Sequence, residues 1–276
     1  MSLTMLHLPL DLPAIMTAGR EHDLVRVDWA ADLGYLVHAL LARLFDGEPP
    51  RPFDVQPAGA DGRRVNVLAY TSAEAEAKLQ RAKSSSDTAA ANAVDWSRVG
   101  LKPMPMLEAG RELGFRVRVC PTIRVGKQHP AGFGHGAELD PYQNLLFREL
   151  AARGVDAEDR AARDEVAAAL PTREEIYRQW LAERLGEAAE LREAGLTALA
   201  DARLWRRGVP SEGASRRMHG HPRRRGKGAV IGRRDAVFEG TLRITDAAAF
   251  TSLLARGVGR HRAFGFGMLL LRPCEA

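Results

Sequence analysis

Residues 238–273, FEGTLRITDAAAFTSLLARGVGRHRAFGFGMLLLRP, decide the fold. FEGTLRITD reads as a strand, and Asp246 stands where a helix N-cap belongs. AAAFTSLLARG then reads as a helix, and FGFGMLLLRP as a second strand. Between them, Gly257, Gly259, Gly265 and Gly267 punctuate the turn from helix to strand. Upstream, FRVRVCPTIRV alternates Phe115, Val117 and Val119 with Arg116 and Arg118, the signature of a half-buried strand. From Pro141 to Leu204 the chain is rich in Ala, Glu, Leu and Arg, with breaks at Pro171 and Gly195. That stretch is predicted to form about three helices with solvated charged faces.

The first third repeats the theme. Leu3–Leu10 is predicted as an opening strand, followed by a polar stretch from Thr17 to Asp28. Trp29–Phe45 has helical spacing, with Leu33, Leu36, Val37, Leu40, Leu41 and Leu44 on one apolar face. GEPPRP (47–52) stops that helix. Strands follow around Phe53–Gln56 and Val65–Tyr70, with the Asp61–Gly62 pair as hairpin turn chemistry between them. Thr71–Ala82 reads as a helix with Ser72 as N-cap, Lys83–Asn92 as a loop, and Val99–Met106 as a further strand. The whole is an α+β chain of two tandem ferredoxin-like (βαββαβ, RRM-like) domains. Residues 1–110 form the first, with a helix bearing Tyr35 and His38. Residues 111–276 form the second, with a helical insertion at about 141–171, a basic segment at 203–234 and the glycine-rich loop at 257–267.

The chain has 276 residues, 45% of them hydrophobic, enough for a substantial core. No apolar run approaches bilayer length. The opening MSLTMLHLPLDL lacks a basic region before a long apolar run, so no secretory signal is expected. Two distant cysteines, Cys120 and Cys274, exclude a disulfide scaffold or a cysteine-rich zinc module and fit a reducing cytoplasm.

The charge is unevenly placed. Between Arg203 and Arg234 stand Arg203, Arg206, Arg207, Arg216, Arg217, Arg223, Arg224, Arg225, Lys227, Arg233 and Arg234, against the single acid Glu212. That window carries +10 of a formal net charge of +5, so the rest of the chain carries −5. A mildly acidic protein with one arginine-rich segment is built to meet a polyanion locally. A solvated basic linker would have the same composition.

Two further clusters could do chemistry. In LLARGVGRHRAFGFG (253–267) the glycines let backbone N–H groups approach a phosphate, with Arg260, His261 and Arg262 adding charge. The loop lacks GK[ST] and does not follow a strand, which disfavours a nucleoside-triphosphate loop; its glycines could equally make only a tight turn. Tyr35 and His38, three apart, share one helix face, and an imidazole can move protons near neutral pH. A packed or merely polar histidine is the plainer account of His38 taken alone. His219 and His221 lie in the basic segment, His129 and His135 in a glycine-rich loop, and no metal-ligand spacing such as HExxH accompanies any of them.

Together these pieces resemble the CasE-type CRISPR repeat-RNA endoribonucleases of the RAMP superfamily. GYLVHALLARLF (34–45) is similar to that family's first helix with its Tyr-x-x-His pair. LGFRVRVCPTIRVGK (113–127) is similar to its strand ending in an Asn-Pro element, and residues 238–273 to its terminal strand, helix and glycine-rich loop. The stretch before Tyr35 is longer than is usual there, Pro141–Pro171 looks inserted, and Cys120 stands in place of Asn. The resemblance implies metal-independent cleavage of a CRISPR precursor RNA at the repeat stem-loop, by attack of the 2′-hydroxyl on its own phosphate. It implies no cofactor, His38 as general acid/base, and Tyr35 as a positioning group. It further implies that the enzyme keeps the mature crRNA as a subunit of a Cascade-like complex. RNA contacts are then expected from Arg216, Arg217, Arg223, Arg224, Arg225, Lys227, Arg233, Arg234, Arg260, His261 and Arg262. The competing expectations are a catalytically inactive repeat-RNA-binding subunit of the same complex, and a general basic RNA-binding protein.

Overall fold

A computed structural model describes residues 3–22, 33–58, 62–71, 74–206 and 229–274. Strand β1 (Thr4–Asp11) buries Leu6, Leu8 and Leu10 by simple alternation. Helix α1 (Leu12–Glu21) follows at once, because the Asp11 carboxylate accepts from the Ala14 N–H at 2.8 Å and Pro13 suits the first turn. The expected polar stretch from Thr17 is therefore helical as far as Glu21, with Ile15, Ala18 and Gly19 buried; residues 23–32 lie outside the described residues. Helix α2 (Leu33–Leu44) buries Leu36, Val37, Leu40, Leu41 and Leu44, the predicted face. Strands β2 (Phe53–Ala58) and β3 (Arg64–Thr71) form an antiparallel hairpin, with Phe53 opposite Ala69 and Ala58 opposite Arg64. Helix α3 (Ala75–Lys83) begins after Glu74, whose side chain makes no capping bond; the expected cap Ser72 lies outside the described residues. A short helix α4 (Thr88–Asn92), capped by Asp87, occupies part of the expected loop, and β4 (Gly100–Pro103) completes a sheet ordered β2-β3-β1-β4.

The second half is β5 (Glu112–Val119), a small ribbon of β6 (Ile123–Arg124) with β7 (Glu138–Leu139), then helices α5 (Pro141–Ala152), α6 (Arg160–Ala168) and α7 (Arg173–Leu185). Strands β8 (Ala189–Arg206) and β9 (Ala229–Ile244), helix α8 (Ala247–Arg256) and β10 (Leu269–Pro273) follow. Asp246 caps α8 as expected, accepting from Ala248 and Ala249. The sheet order is β10-β5-β9-β8. Counted within each half, both sheets show the same antiparallel permutation, so the chain is two ferredoxin-like folds in tandem.

One expectation fails outright. Residues 189–204, predicted as helix, are strand β8. Alanine, leucine and glutamate favour a helix locally, but β9 offers a ladder running from Ala189–Ile244 to Arg206–Ala229. Directly opposed charges, Glu190 with Arg243 at 2.8 Å and Asp201 with Arg234 at 2.6 Å, support that register.

Two cores result. Leu8, Leu10, Leu41 and Phe53 centre the first; Phe115, Phe238, Phe250, Tyr177 and Trp180 centre the second. The second also takes in Leu3 and Tyr70 from the first sheet. The buried Tyr70 hydroxyl donates to the Leu269 carbonyl at 2.8 Å, and the Arg116 guanidinium donates to the buried Asp54 carboxylate at 3.0 Å. Among the described residues no helix is long and apolar enough to cross a membrane.

Candidate functional site

The apolar face of α2 fixes where its polar residues sit. With Leu36, Val37, Leu40 and Leu41 buried, Tyr35 and His38 fall at the margin of the core, each half-buried. The Tyr35 ring stacks on Phe264, centroids 6.1 Å apart and planes at 27°. Phe264 belongs to a 3₁₀ turn (Arg262–Phe264) inside the glycine-rich loop, so the helix and the loop meet through this pair. His38 Nδ1 is buried and finds no hydrogen-bond partner among the described residues. Burial first, and the Arg51 charge second, lower the pKa of His38 below the ordinary imidazole value, so the ring is neutral at pH 7.

The loop's glycines serve the protein's own packing. Gly257, Gly259, Gly265 and Gly267 all have positive φ. A Cβ on Gly267 would stand 2.3 Å from the Val258 carbonyl oxygen, and one on Gly257 would stand 2.9 Å from Pro52. The N–H groups of Gly257, Val258, Phe264 and Gly267 donate to the carbonyls of Leu253, Gly267, His261 and Arg118. Those four amides are engaged within the protein.

The expected cations divide into four sets. Arg233, Arg260 and His261 converge on Glu138, at 3.0, 2.7 and 3.1 Å. Burial pushes Glu138 up, but the Arg233 hydrogen bond and the charges of His261 and Arg260 outweigh it and hold the carboxyl below its ordinary range. Burial also lowers His261, against the pull of Glu138. Arg234 pairs with Asp201 instead. Arg262 donates to the Arg256 carbonyl, over the end of α8. Arg216, Arg217, Arg223, Arg224, Arg225 and Lys227, with His219 and His221, lie outside the described residues. Of the remaining histidines, His129 Nε2 meets Asn144 at 3.2 Å and its ring packs edge-on against Phe133.

Three pieces far apart in sequence are thereby linked. Tyr35 touches Phe264, Phe264 lies 6.2 Å from the His261 ring, and His261 shares Glu138 with Arg233 at the start of the described part of β9. Sequence reasoning missed Glu138 and Arg51, whose roles depend on long-range packing. It also missed the Arg118–Asp235 pair (2.6 Å), although the alternation in FRVRV had already turned Arg118 away from the core. Among the described residues no group of three or more His, Cys, Asp or Glu could hold a metal ion.

The fold and this seam define a class: tandem ferredoxin-like α+β proteins with a Tyr/His helix set against a glycine-rich loop. A family model described as CRISPR associated protein matches residues 15–273, and the chain belongs to that family. No curated protein matches the sequence. Among solved structures, the CRISPR endoribonuclease Cse3 bound to a 19-nucleotide RNA is similar over 99% of this chain and 100% of that one, at 19% identity and a TM-score of 0.56. Thermus thermophilus Cse3, bound to an RNA representing a pre-cleavage complex, gives the same coverage, identity and TM-score. At these identities the likeness is one of fold.

Proposed function

We propose that this protein is a metal-independent endoribonuclease that cuts CRISPR precursor RNA at the repeat stem-loop and retains the crRNA in a Cascade-like complex. The observation that carries the reading is the meeting of the Tyr35/His38 helix with the glycine-rich loop through the Tyr35–Phe264 stack, on a fold shared end to end with an RNA-bound endoribonuclease. In this reading residues 1–110 and 111–276 act as two domains, and the site lies where they meet. An RNA supplies its own nucleophile, so the protein has only to align the 2′-hydroxyl, move protons and offset charge on the transition state. Neutral His38 accepts the 2′-hydroxyl proton as the oxygen attacks phosphorus. The P–O5′ bond breaks, and the departing oxygen takes up a proton from water. The products are a 2′,3′-cyclic phosphate and a 5′-hydroxyl. Tyr35 positions the scissile group, and cations of the basic segment and the loop hold the RNA backbone.

A second reading, an inactive repeat-RNA-binding subunit, draws on His38 Nδ1: among the described residues no group hydrogen-bonds to it to orient the imidazole. Cleavage of the cognate repeat hairpin in the presence of a chelator decides between the two. Wild-type protein is expected to cut, and His38→Ala to lose about 10²–10⁴-fold in rate with affinity held within a few-fold. Intact RNA after long incubation with wild-type protein would favour the second reading. Unchanged cutting by the variant would remove His38 from the mechanism.

A further inference from the structure

The ends of α7 and α8 and the first part of the glycine-rich loop enclose an open groove of about 490 Å³. Five arginines line it, Arg124, Arg184, Arg256, Arg260 and Arg262, against one acid, Glu183. Arg184 and Arg256 stand in the last turns of their helices, where a cation also suits the helix dipole. That explains two of the five and not their convergence. Among the described residues, only Arg260 of the five has a carboxylate partner, Glu138. Elsewhere near the seam, Arg116, Arg118, Arg233 and Arg234 are all ion-paired. Among the described residues this recess thus brings together four arginines without a carboxylate partner, a field that gathers anions.

We propose that this groove holds the phosphate backbone of single-stranded RNA flanking the hairpin; the proposal rests on the reading of the protein as a repeat-RNA endoribonuclease. A recess of this size encloses a small ligand, on the scale of one or two nucleotides, and is too small to enclose a duplex. Guanidinium planes grip phosphates in bidentate fashion and stack on unpaired bases. Among the described residues the lining has no aromatic side chain, so recognition is led by the backbone and tolerant of sequence. Its position fits. The turn that offers Phe264 to Tyr35 offers Arg262 to the groove, so an RNA strand leaving the Tyr35/His38 helix reaches it within two residues of the loop.

The test compares wild-type protein with Arg184→Gln/Arg256→Gln, binding a bare repeat hairpin, the same hairpin with single-stranded flanks, and a short oligouridylate. The flanked hairpin is expected to lose about tenfold in affinity. Its log K against log[salt] slope is expected to flatten by about 1.4, because two arginines no longer neutralise phosphates of a single strand. Oligouridylate binding should fall in parallel, with the bare hairpin unchanged. Arg124→Gln, which alters no helix end, should shift affinity in the same direction, which separates a weakened grip on RNA from a damaged fold. Equal losses for bare and flanked hairpins would mean the groove grips the stem, and no loss for either would mean it holds no RNA. Displacement of the flanks by millimolar inorganic phosphate at constant ionic strength would mark a small-anion site. Each of these three results overturns the proposal. If wild-type protein preferred the repeat hairpin no more than a scrambled stem, the parent reading would fall. Oligouridylate binding that still depended on Arg184 and Arg256 would even then support a single-strand groove.

Discussion

Tyr70 gives a sharp test of how the two sheets are joined. Its side chain is 1% exposed, and its hydroxyl donates to Leu269 across the seam at 2.8 Å. Burial raises its pKa well above the ordinary phenol value. Tyr70→Phe removes one buried hydrogen bond and should cost about 1 kcal/mol at pH 8. Above about pH 10 the unfolded chain releases the phenolic proton while the folded chain keeps it, so the native state binds more protons and stability falls as pH rises. The fall is about 1.4 kcal/mol per pH unit for this one group, and the Phe variant lacks it. The two stability curves should therefore cross near pH 11, the variant being weaker below and stronger above. Urea midpoints from pH 8 to 11.5 measure this directly, because Tyr177 and Cys120, whose pKa values are also raised, are common to both proteins. Parallel curves with no crossing would refute the buried, bonded phenol.

Two further outcomes bear on the site. If neutral His38 is the base, the acid limb of the cleavage rate should lie below pH 6.5. Arg51→Gln removes the second cause of that depression and should move the limb upward, while burial, the larger cause, keeps it below 6.5. A limb that stays in place under this substitution would assign it to another group. A double-mutant cycle of Tyr35→Leu and Phe264→Leu, read by urea unfolding, should show a coupling of about 0.5–1.5 kcal/mol. Zero coupling would mean that the helix and the loop are held together by something else.

Much of this is legible in the residues. Asp246, the helix after it and the final apolar strand follow from capping and alternation, and the spacing of Leu36, Val37, Leu40 and Leu41 already sets Tyr35 and His38 at the margin of a buried face. Strand β8 is not legible, because its state is decided by β9, whose register pairs Ala189 with Ile244, 55 positions away. Helix α1 escapes a sequence reading because Thr17 and the residues after it look polar, while the deciding signal, Asp11 with Pro13, lies earlier. At the site, a three-residue spacing can put two side chains on one face. No local pattern says that Phe264 will cover Tyr35, or that Glu138 will gather Arg233, Arg260 and His261.

The Tyr70–Leu269 bond spans 199 positions, and the Tyr35–Phe264 stack spans a similar stretch of chain. A ribosome therefore completes the first sheet long before the groups that cover it emerge. Until the last strand is released the Tyr70 hydroxyl lacks its Leu269 acceptor, and until the loop before it is made the Tyr/His helix lacks its aromatic lid. Assembly of the seam thus waits for the glycine-rich loop and β10 to be synthesised, and a product terminated before them would leave the imidazole helix without its counterpart.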